Sequence, residues 1–168
     1  MFIEATKLIN LPIASEEEMA KIGVIRQIVV DPENGQLLGF LVFTGFFSPL
    51  KALSSMDIKF WDTNGVVTKS EENLVDPEEI VRIKAVLGNN INLIEMKSVT
   101  EGGKSLGLVE DFLIDTETNS VVKYYLRDIL GKGRIMSADK VIKIDKEIIF
   151  SDDEDTASNN TEPNISMA

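Results

Sequence analysis

An internal repeat without gaps constrains this chain more than any other feature of its sequence. Residues 23–43 (GVIRQIVVDPENGQLLGFLVF) align with residues 107–127 (GLVEDFLIDTETNSVVKYYLR) at a constant offset of 84. Glycine faces glycine, Asp31 faces Asp115, and apolar residues face apolar residues through both flanks of the window. A match of this length and pattern indicates two copies of one structural unit.

Each copy of the repeat predicts a β-hairpin. A β-prone run leads into a turn in which Pro32 presets φ and Gly35 supplies a left-handed residue. The second copy has Asn119 at the position of Gly35, and asparagine is the non-glycine residue that best tolerates this conformation. The same hairpin is therefore encoded twice with different residues.

The resemblance between the copies continues on both sides of the hairpin. Residues 53–58 (LSSMDI) resemble residues 136–141 (MSADKV), and each segment precedes a short strand pattern. Asn64 and Gly65 form a hairpin signal within the first of these patterns. Five or six short strands per copy predict an all-β fold with two small barrels in tandem, at residues 1–75 and 90–150.

A helix is predicted between the copies, in the linker 76–89. Asp76 can cap it, Pro77 suits its first position, Glu79 completes a capping box and Gly88 ends it. We expect one short helix at about 77–87 that packs on one or both barrels. Residues 151–168 contain few large apolar groups, and we expect them to form a disordered acidic tail.

The composition excludes several classes of function. The 168 residues include no Cys and no His, so the commonest general base and the commonest metal ligands are absent, and we expect no catalytic residue, cofactor or metal. A net charge of −11 disfavours nucleic acid. The N-terminus is a poor signal peptide, and no apolar run is long enough for a transmembrane helix. We expect a cytoplasmic protein.

The ordered set of glycine, strand, aspartate turn, strand and Ser/Asp element resembles the PRC-barrel family over residues 1–75 and 90–150. The family is named from the H subunit of the photosynthetic reaction centre and also occurs in a ribosome maturation factor. The resemblance implies a docking or scaffolding barrel with no catalytic residues. This chain shows neither the spanning helix of the former nor the separate N-terminal domain of the latter, so we expect neither role in full.

The loop at residues 44–50 (TGFFSPL) is the foremost candidate for a partner-binding site. Phe46 and Phe47 are adjacent aromatics between Gly and Pro, and both cannot easily point into one barrel, so Phe46, Phe47 and Leu50 are candidate contact residues. The alternative is that they plug the end of the barrel. The counterpart, residues 127–134 (RDILGKGR), is charged and glycine-rich, so we expect the apolar loop in the first module only. Trp61 is expected in the core.

Three further sets of polar residues are candidates. Arg26 and Glu110 occupy equivalent strand positions with opposite charge, so they either distinguish two partner-binding faces or reflect drift on a solvent surface. The acid pairs Asp31/Glu33 and Asp115/Glu117 offer acid–base chemistry, but turn carboxylates are usually solvated and serve the turn itself. Acids 152–155 offer ligands to a hard cation, although a solvated tail is favoured.

The sequence therefore predicts a protein that binds another protein and carries out no reaction. The alternatives are a factor at the membrane periphery, in which the 44–50 loop inserts shallowly, or one associated with ribosome assembly, and lastly a carboxylate-dependent hydrolase. The identity of the partner and the oligomeric state stay open.

Overall fold

The computed structural model describes residues 1–152 of the chain. The first part contains strands β1 (Phe2–Glu4), β2 (Pro12–Ser15), β3 (Ala20–Val30), β4 (Leu37–Phe43), β5 (Lys51–Ser54), β6 (Ile58–Asp62), β7 (Gly65–Thr68) and β8 (Leu74–Val75). The second part contains β9 (Lys97–Thr100), β10 (Ser105–Asp115), β11 (Ser120–Arg127), β12 (Gly133–Ser137), β13 (Val141–Ile144) and β14 (Ile148–Phe150). The α-helices are α1 (Ala5–Leu8) and α2 (Val81–Gly88), and 3-10 turns lie at Ser55–Asp57, Glu71–Asn73, Pro77–Glu79 and Ala138–Lys140.

The strands form two sheets with the same order of equivalent strands. The first sheet runs β6-β7-β2-β3-β4-β5-β8, and the second runs β13-β14-β9-β10-β11-β12. In each sheet one pair is parallel, β2 with β7 and β9 with β14. The predicted all-β fold with two small barrels is confirmed.

Each sheet curls round its own aromatic cluster. Phe40 on β4 meets Trp61 on β6 edge to face, with ring centroids 5.9 Å apart, although three strands separate β4 from β6 in the sheet. In the second sheet Tyr124 on β11 meets Phe150 on β14 at 5.8 Å. Trp61 is only 8% exposed, which confirms its predicted place in the core.

The irregularities of the two sheets also coincide. The β3–β4 pairing slips between Ile25 and Gln27 and between Val29 and Val30. The β10–β11 pairing slips at the positions 84 residues later, between Val109 and Asp111 and between Leu113 and Ile114. Because bulges re-aim side chains and strengthen local twist, shared bulges give the two hairpins the same shape.

The predicted hairpin turns are confirmed in both copies. Gly35 has φ +71 and its N–H donates to the carbonyl oxygen of Asp31 at 2.8 Å. Asn119 adopts the same left-handed conformation with φ +50. In each turn the leading aspartate accepts a hydrogen bond from the backbone N–H two residues later, at 2.9 Å in the first turn and 3.0 Å in the second.

The segment between the sheets differs from the single helix predicted at 77–87. A 3-10 turn covers Pro77–Glu79, Ile80 is extended with φ −103 and ψ 100, and α2 then runs to Gly88. Ile80 is partly buried against the hydrophobic core, and the break in the helix allows its side chain to turn inward. Asp76 caps the first turn as predicted, because its carboxylate accepts from the N–H of Glu78 at 2.9 Å.

The N-terminal segment crosses from the first module to the second. Strand β1 pairs with β10, with Ile3 opposite Ile114, so residues 2–4 belong to the second sheet and not to the module that the sequence assigned to residues 1–75. Ile3, Ala5 and Leu8 are buried there. The backbone N–H of Thr6 donates to the carboxylate of Asp111 at 3.0 Å, which anchors the segment.

The two modules meet around an approximate two-fold axis. The N–H of Leu37 donates to the carbonyl oxygen of Asn119 at 2.7 Å, and the N–H of Val121 donates to the carbonyl oxygen of Gly35 at 2.9 Å. These are reciprocal bonds, because Leu37 is equivalent to Val121 and Gly35 to Asn119. Between them, Gln36 and Ser120 form an antiparallel bridge. Strands β4 and β11 leave this bridge in opposite directions, so the loops that follow them lie at opposite ends of the molecule.

Candidate functional site

The loop at residues 44–50, called here the first loop, projects its aromatic side chains into solvent. Phe46 is 93% exposed and Phe47 is 105% exposed, so neither plugs the barrel. Leu50, at the end of the loop, is 40% exposed. The N–H of Ser48 donates to the carbonyl oxygen of Gly45 at 3.2 Å, which makes the loop a defined turn. Adjacent aromatic side chains that are both exposed are typical of binding surfaces.

Arg26 lies beside the first loop and is connected to it through Phe43. The guanidinium carbon of Arg26 sits 4.7 Å from the centre of the Phe43 ring, a cation–π arrangement. The Phe43 ring in turn meets Phe46 edge to face at 5.4 Å. Arg26 also donates a hydrogen bond to the side-chain oxygen of Asn10. Four of the five predicted partner-binding residues, Arg26, Phe46, Phe47 and Leu50, are thus brought to one end of the first module.

A shallow cleft of about 290 Å³ lies beside these residues. Arg26, Lys21, Phe43 and Thr44 line it, and among the described residues that do so none is acidic. Lys51 follows Leu50 and pairs with Val42 at the start of β5. The first end of the molecule therefore combines exposed aromatic rings with three cationic side chains, in a chain whose net charge is −11.

The equivalent loop of the second module, residues 128–132 and called here the second loop, also exposes apolar side chains. Ile129 is 100% exposed and Leu130 is 88% exposed. The prediction that only the first module has an apolar loop is therefore wrong. The carboxylate of Asp128 accepts from the N–H groups of Leu130 and Lys132, each at 2.9 Å, and this turn holds the two apolar side chains outward.

Glu110 lies at the base of the second loop, away from the other four predicted residues. Its carboxylate accepts two hydrogen bonds from the guanidinium of Arg127, at 2.8 Å and 2.9 Å. Arg127 occupies the position equivalent to Phe43, so a cation–π contact in the first module is replaced by a bidentate ion pair in the second. The two residue pairs therefore occupy equivalent positions, but one is a cation–π contact and the other is an ion pair.

The turn carboxylates have structural partners. Asp31 is 4% exposed, and Arg82 from α2 donates a hydrogen bond to its carboxylate. The expectation that Asp31 is solvated is wrong, because α2 packs over the turn and covers it. Asp31, Glu33 and Arg82 line a cleft of about 200 Å³ between the turn and the helix. Asp115 accepts from the N–H of Glu117 at 3.0 Å, as a turn aspartate does.

Within residues 1–152, three titratable groups have shifted pKa values with local causes. The hydroxyl of Ser15 donates to the carboxylate of Glu18 and lowers the pKa of that group. Ser137 acts in the same way on Asp139, whose pKa is also lowered. Burial raises the pKa of the Tyr124 hydroxyl. Glu18 also accepts from the N–H of Glu71 at 3.1 Å, so it ties the turn before β3 to the segment after β7.

Of the acids at 152–155, Asp152 lies within the described residues, where it accepts from the N–H of Gly102 at 3.2 Å. Asp153, Glu154 and Asp155, like residues 156–168 of the predicted disordered tail, lie outside them. Within residues 1–152, no group of three or more acidic side chains is placed to hold a metal ion. The helices in this range are too short or too polar to span a bilayer.

Two curled sheets with matching strand order and bulges define an all-β protein of paired small barrels. Residues 1–74 match the family model described as the PRC-barrel domain, so the chain contains a PRC-barrel domain that covers its first module. No curated protein matches the chain.

Proposed function

We propose that this chain is a tandem PRC-barrel protein that carries out no reaction and binds another protein through its first loop. The observation that carries the proposal is the exposure of Phe46 and Phe47, at 93% and 105%, on the turn that the N–H of Ser48 closes onto the carbonyl oxygen of Gly45. Aromatic side chains with an adjacent arginine are the residue types that contribute most to binding energy at protein interfaces.

Duplication of the module is the second part of the proposal. The equal strand order, the coincident bulges and the reciprocal bonds between the turns all support a second PRC-type barrel at residues 90–150. An isologous contact of this kind is typical of two copies of one unit related by a two-fold axis. The second barrel would then fix the orientation of the first and present a second end to solvent.

We propose that the chain catalyses no reaction, because the candidate acids already have structural partners. General acid–base work needs a carboxyl that is free to exchange a proton with a substrate. Asp31 is instead paired with Arg82 and with the N–H of Glu33, and Asp115 completes its own turn. The structural partners of both carboxylates therefore account for these residues without a catalytic role.

The experiment is affinity capture from native lysate on immobilised full-length chain, quantified against two matched variants. Phe46→Ser with Phe47→Ser removes the proposed site, and Ile129→Ser with Leu130→Ser makes the same chemical change at the other end. A partner that is lost with the first variant and kept with the second, and that then binds as a purified protein, supports the proposal. Equal capture by all three chains overturns it.

A membrane surface is the second candidate for the first loop. Lys21 and Arg26 line the cleft beside exposed Phe46 and Phe47, and Lys51 follows the loop at the start of β5. This combination of aromatic and cationic residues favours shallow insertion at an anionic interface. Sedimentation with vesicles of phosphatidylglycerol and phosphatidylcholine tests it. Binding that requires phosphatidylglycerol and disappears with Phe46→Ser and Phe47→Ser would favour the membrane, and no sedimentation of the wild-type chain would remove it.

A further inference from the structure

Strand β3 has an open backbone edge beside the first loop. Strand β2 pairs with β3 from Val24 back to Ala20, whereas β4 pairs with β3 only from Val24 onward, with Phe43 opposite Val24. Beyond Phe43 the chain leaves the sheet as the first loop. Residues 20–23 therefore have a strand on one edge and, within residues 1–152, none on the other. Four residues of open edge span about 13 Å of extended backbone.

The cleft of about 290 Å³ runs along this open edge. Residues 21–24 line it from β3, and Phe43 and Thr44 line it from the end of β4. An unpaired edge offers N–H and C=O groups to a further strand, and exposed sheet edges bind extended peptides in this way. The Phe43 ring meets Phe46 at 5.4 Å, so the first loop lies beside the cleft and can cover side chains of an added strand.

Two cations line the cleft, although the chain as a whole is acidic. They are Lys21 and Arg26, and neither forms an ion pair with an acid in the part of the chain that the structure describes. Arg26 is held by its hydrogen bond to Asn10 and by its position over the Phe43 ring. Its guanidinium is therefore oriented before any partner binds.

The acids of the turn between β2 and β3 have partners on the other side of β2. These contacts are Glu16 with Lys59, Glu17 with Lys69 at 3.8 Å, and Glu18 with the backbone N–H of Glu71 at 3.1 Å. Strands β6 and β7 lie beyond β2 in the sheet, opposite to β4. Lys51 and Asp76 flank the Ala52–Val75 pair, which sets an acid beside that cation. The cations at this end that no described acid accompanies are therefore the two that line the cleft.

The second module has an equivalent open edge with different chemistry beside it. Strand β9 pairs with β10 from Leu108 back to Ser105, and the pairing of β11 with β10 stops at Leu108, opposite Arg127. The guanidinium of Arg127 donates to the carboxylate of Glu110 and, at 2.9 Å, to the carbonyl oxygen of Gly131. Because this cation already has partners within the chain, an acidic segment gains less at the second end than at the first.

We propose that the partner binds the cleft as an extended acidic segment, which adds to the open edge of β3 as a further strand and places carboxylates against Lys21 and Arg26. Backbone hydrogen bonds to residues 20–23 supply affinity, and the two cations select acidic sequences. The inference rests on the proposed function, since it gives the conformation and the charge of the part of the partner that the first loop binds.

Titration of the isotope-labelled full-length chain with a synthetic peptide, followed by NMR, tests the proposal. The probe is a blocked nine-residue peptide that alternates glutamate with valine, so that its acids share one face of a strand. We expect amide shifts at residues 20–23 and 44–47, and none at residues 105–107 or 128–132. The peptide with glutamine in place of glutamate should bind about tenfold more weakly, because its contacts with the cations lose their charge. The peptide with lysine should not bind.

Two changes separate strand addition from attraction by charge alone. N-methylation of two adjacent central residues removes an N–H donor from each edge of the peptide, so this peptide should bind about tenfold more weakly at unchanged charge. Lys21→Glu should weaken binding of the glutamate peptide by a similar factor. Lys104→Glu makes the same change just before β10, the equivalent strand, and should leave binding unchanged.

The results that overturn this inference differ from the result that overturns the proposed function. Absence of binding, shifts outside residues 20–23, equal affinity for the three peptides, or no effect of N-methylation would each exclude addition of an acidic strand. Shifts at residues 20–23 when the chain alone is concentrated would assign the edge to a second copy. If capture from lysate still required Phe46 and Phe47, the proposed function would stand without the inference. Capture that is independent of both residues would remove the two together.

Discussion

Asp31 and Arg82 form an ion pair that joins the turn of the first hairpin to the helix between the modules. The carboxylate is almost completely buried, whereas 57% of the Arg82 side chain remains exposed. Helix α2 also places Ile83 and Val86 in the hydrophobic core. The pair therefore holds the segment between the modules against the barrel that precedes it.

Loss of the arginine should destabilise the fold more than an ordinary surface substitution. Arg82→Met leaves the buried Asp31 carboxylate without its cation, and we expect a loss of about 2 kcal/mol in the free energy of unfolding, measured by urea denaturation. The loss is below the range for a fully buried pair, because half of the arginine is already solvated.

A double-mutant cycle with Asp31→Asn separates the pair from its surroundings. Asparagine keeps a side-chain oxygen for the N–H of Glu33 and removes the charge. Arg82→Met should then cost less in the Asp31→Asn background than in the wild-type chain. Equal costs in the two backgrounds would show that the ion pair contributes nothing to stability.

Gly107, the glycine that leads the second repeat, should be intolerant of any side chain. Its φ is +98, and a Cβ at this position would lie 2.2 Å from the carbonyl oxygen of Arg127. We expect Gly107→Ala to cost about 3 kcal/mol or more in thermal or urea unfolding, because backbone strain and a backbone clash combine. The equivalent Gly23 approaches Val42 and Phe43 with an ordinary φ, so the repeat keeps glycine at this position because the neighbouring strand passes close to it.

Gly88→Ala is the matched control for this substitution. Gly88 ends α2, and a Cβ built there meets no atom within 4 Å. Alanine should therefore leave stability unchanged or raise it by up to about 1 kcal/mol, since it is the better helix former. A similar loss at Gly88 and Gly107 would contradict the steric account.

A substitution at Asn119 should stabilise the second hairpin. The residue has φ +50, and its side-chain oxygen is buried without a hydrogen-bond partner among the described residues. Asn119→Gly restores the residue of the first copy, relieves the left-handed strain and removes the unsatisfied oxygen. We expect a gain of about 1 kcal/mol in the free energy of unfolding, whereas Asn119→Ala should lose stability. A loss with glycine would show that the asparagine side chain has a role of its own.

The sequence predicted correctly the parts of the fold that depend on local residues or on the repeat. It predicted both hairpins from Asp31, Gly35 and Asn119, the core position of Trp61, and the Asp76 cap, because turn chemistry and strand patterns act within a few residues. The repeat predicted the second barrel from the first.

The contacts that the sequence did not predict are those between distant segments. Pairing of β1 with β10 joins residues more than 100 positions apart, with no local signal in a strand of only three residues. The burial of Asp31 depends on how α2 packs over the turn. Ile129 and Leu130 have no distinct signal in the sequence, because charged residues and glycines surround them. They align with Phe46 and Phe47 only at an offset of 83, which is the offset between residues 53–58 and 136–141 and not the offset of the hairpins.

The residue pair at the base of each loop differs, Arg26 with Phe43 in the first module and Glu110 with Arg127 in the second. This difference predicts the effect on stability of replacing the second pair with the first. Glu110→Arg alone places two guanidinium groups together, because Arg127 occupies the position of Phe43. We expect a loss of about 1 kcal/mol in the free energy of unfolding, since the Glu110 and Arg127 side chains are about half exposed and surface pairs contribute little. Adding Arg127→Phe should recover most of this loss, because it recreates the stack of Arg26 on Phe43. Urea denaturation of Glu110→Arg, Arg127→Phe and the double variant measures the effect. A double variant no more stable than Glu110→Arg would mean that the two strand pairs are not equivalent at this position, and that the chemistry of each end cannot be transferred by exchanging two residues.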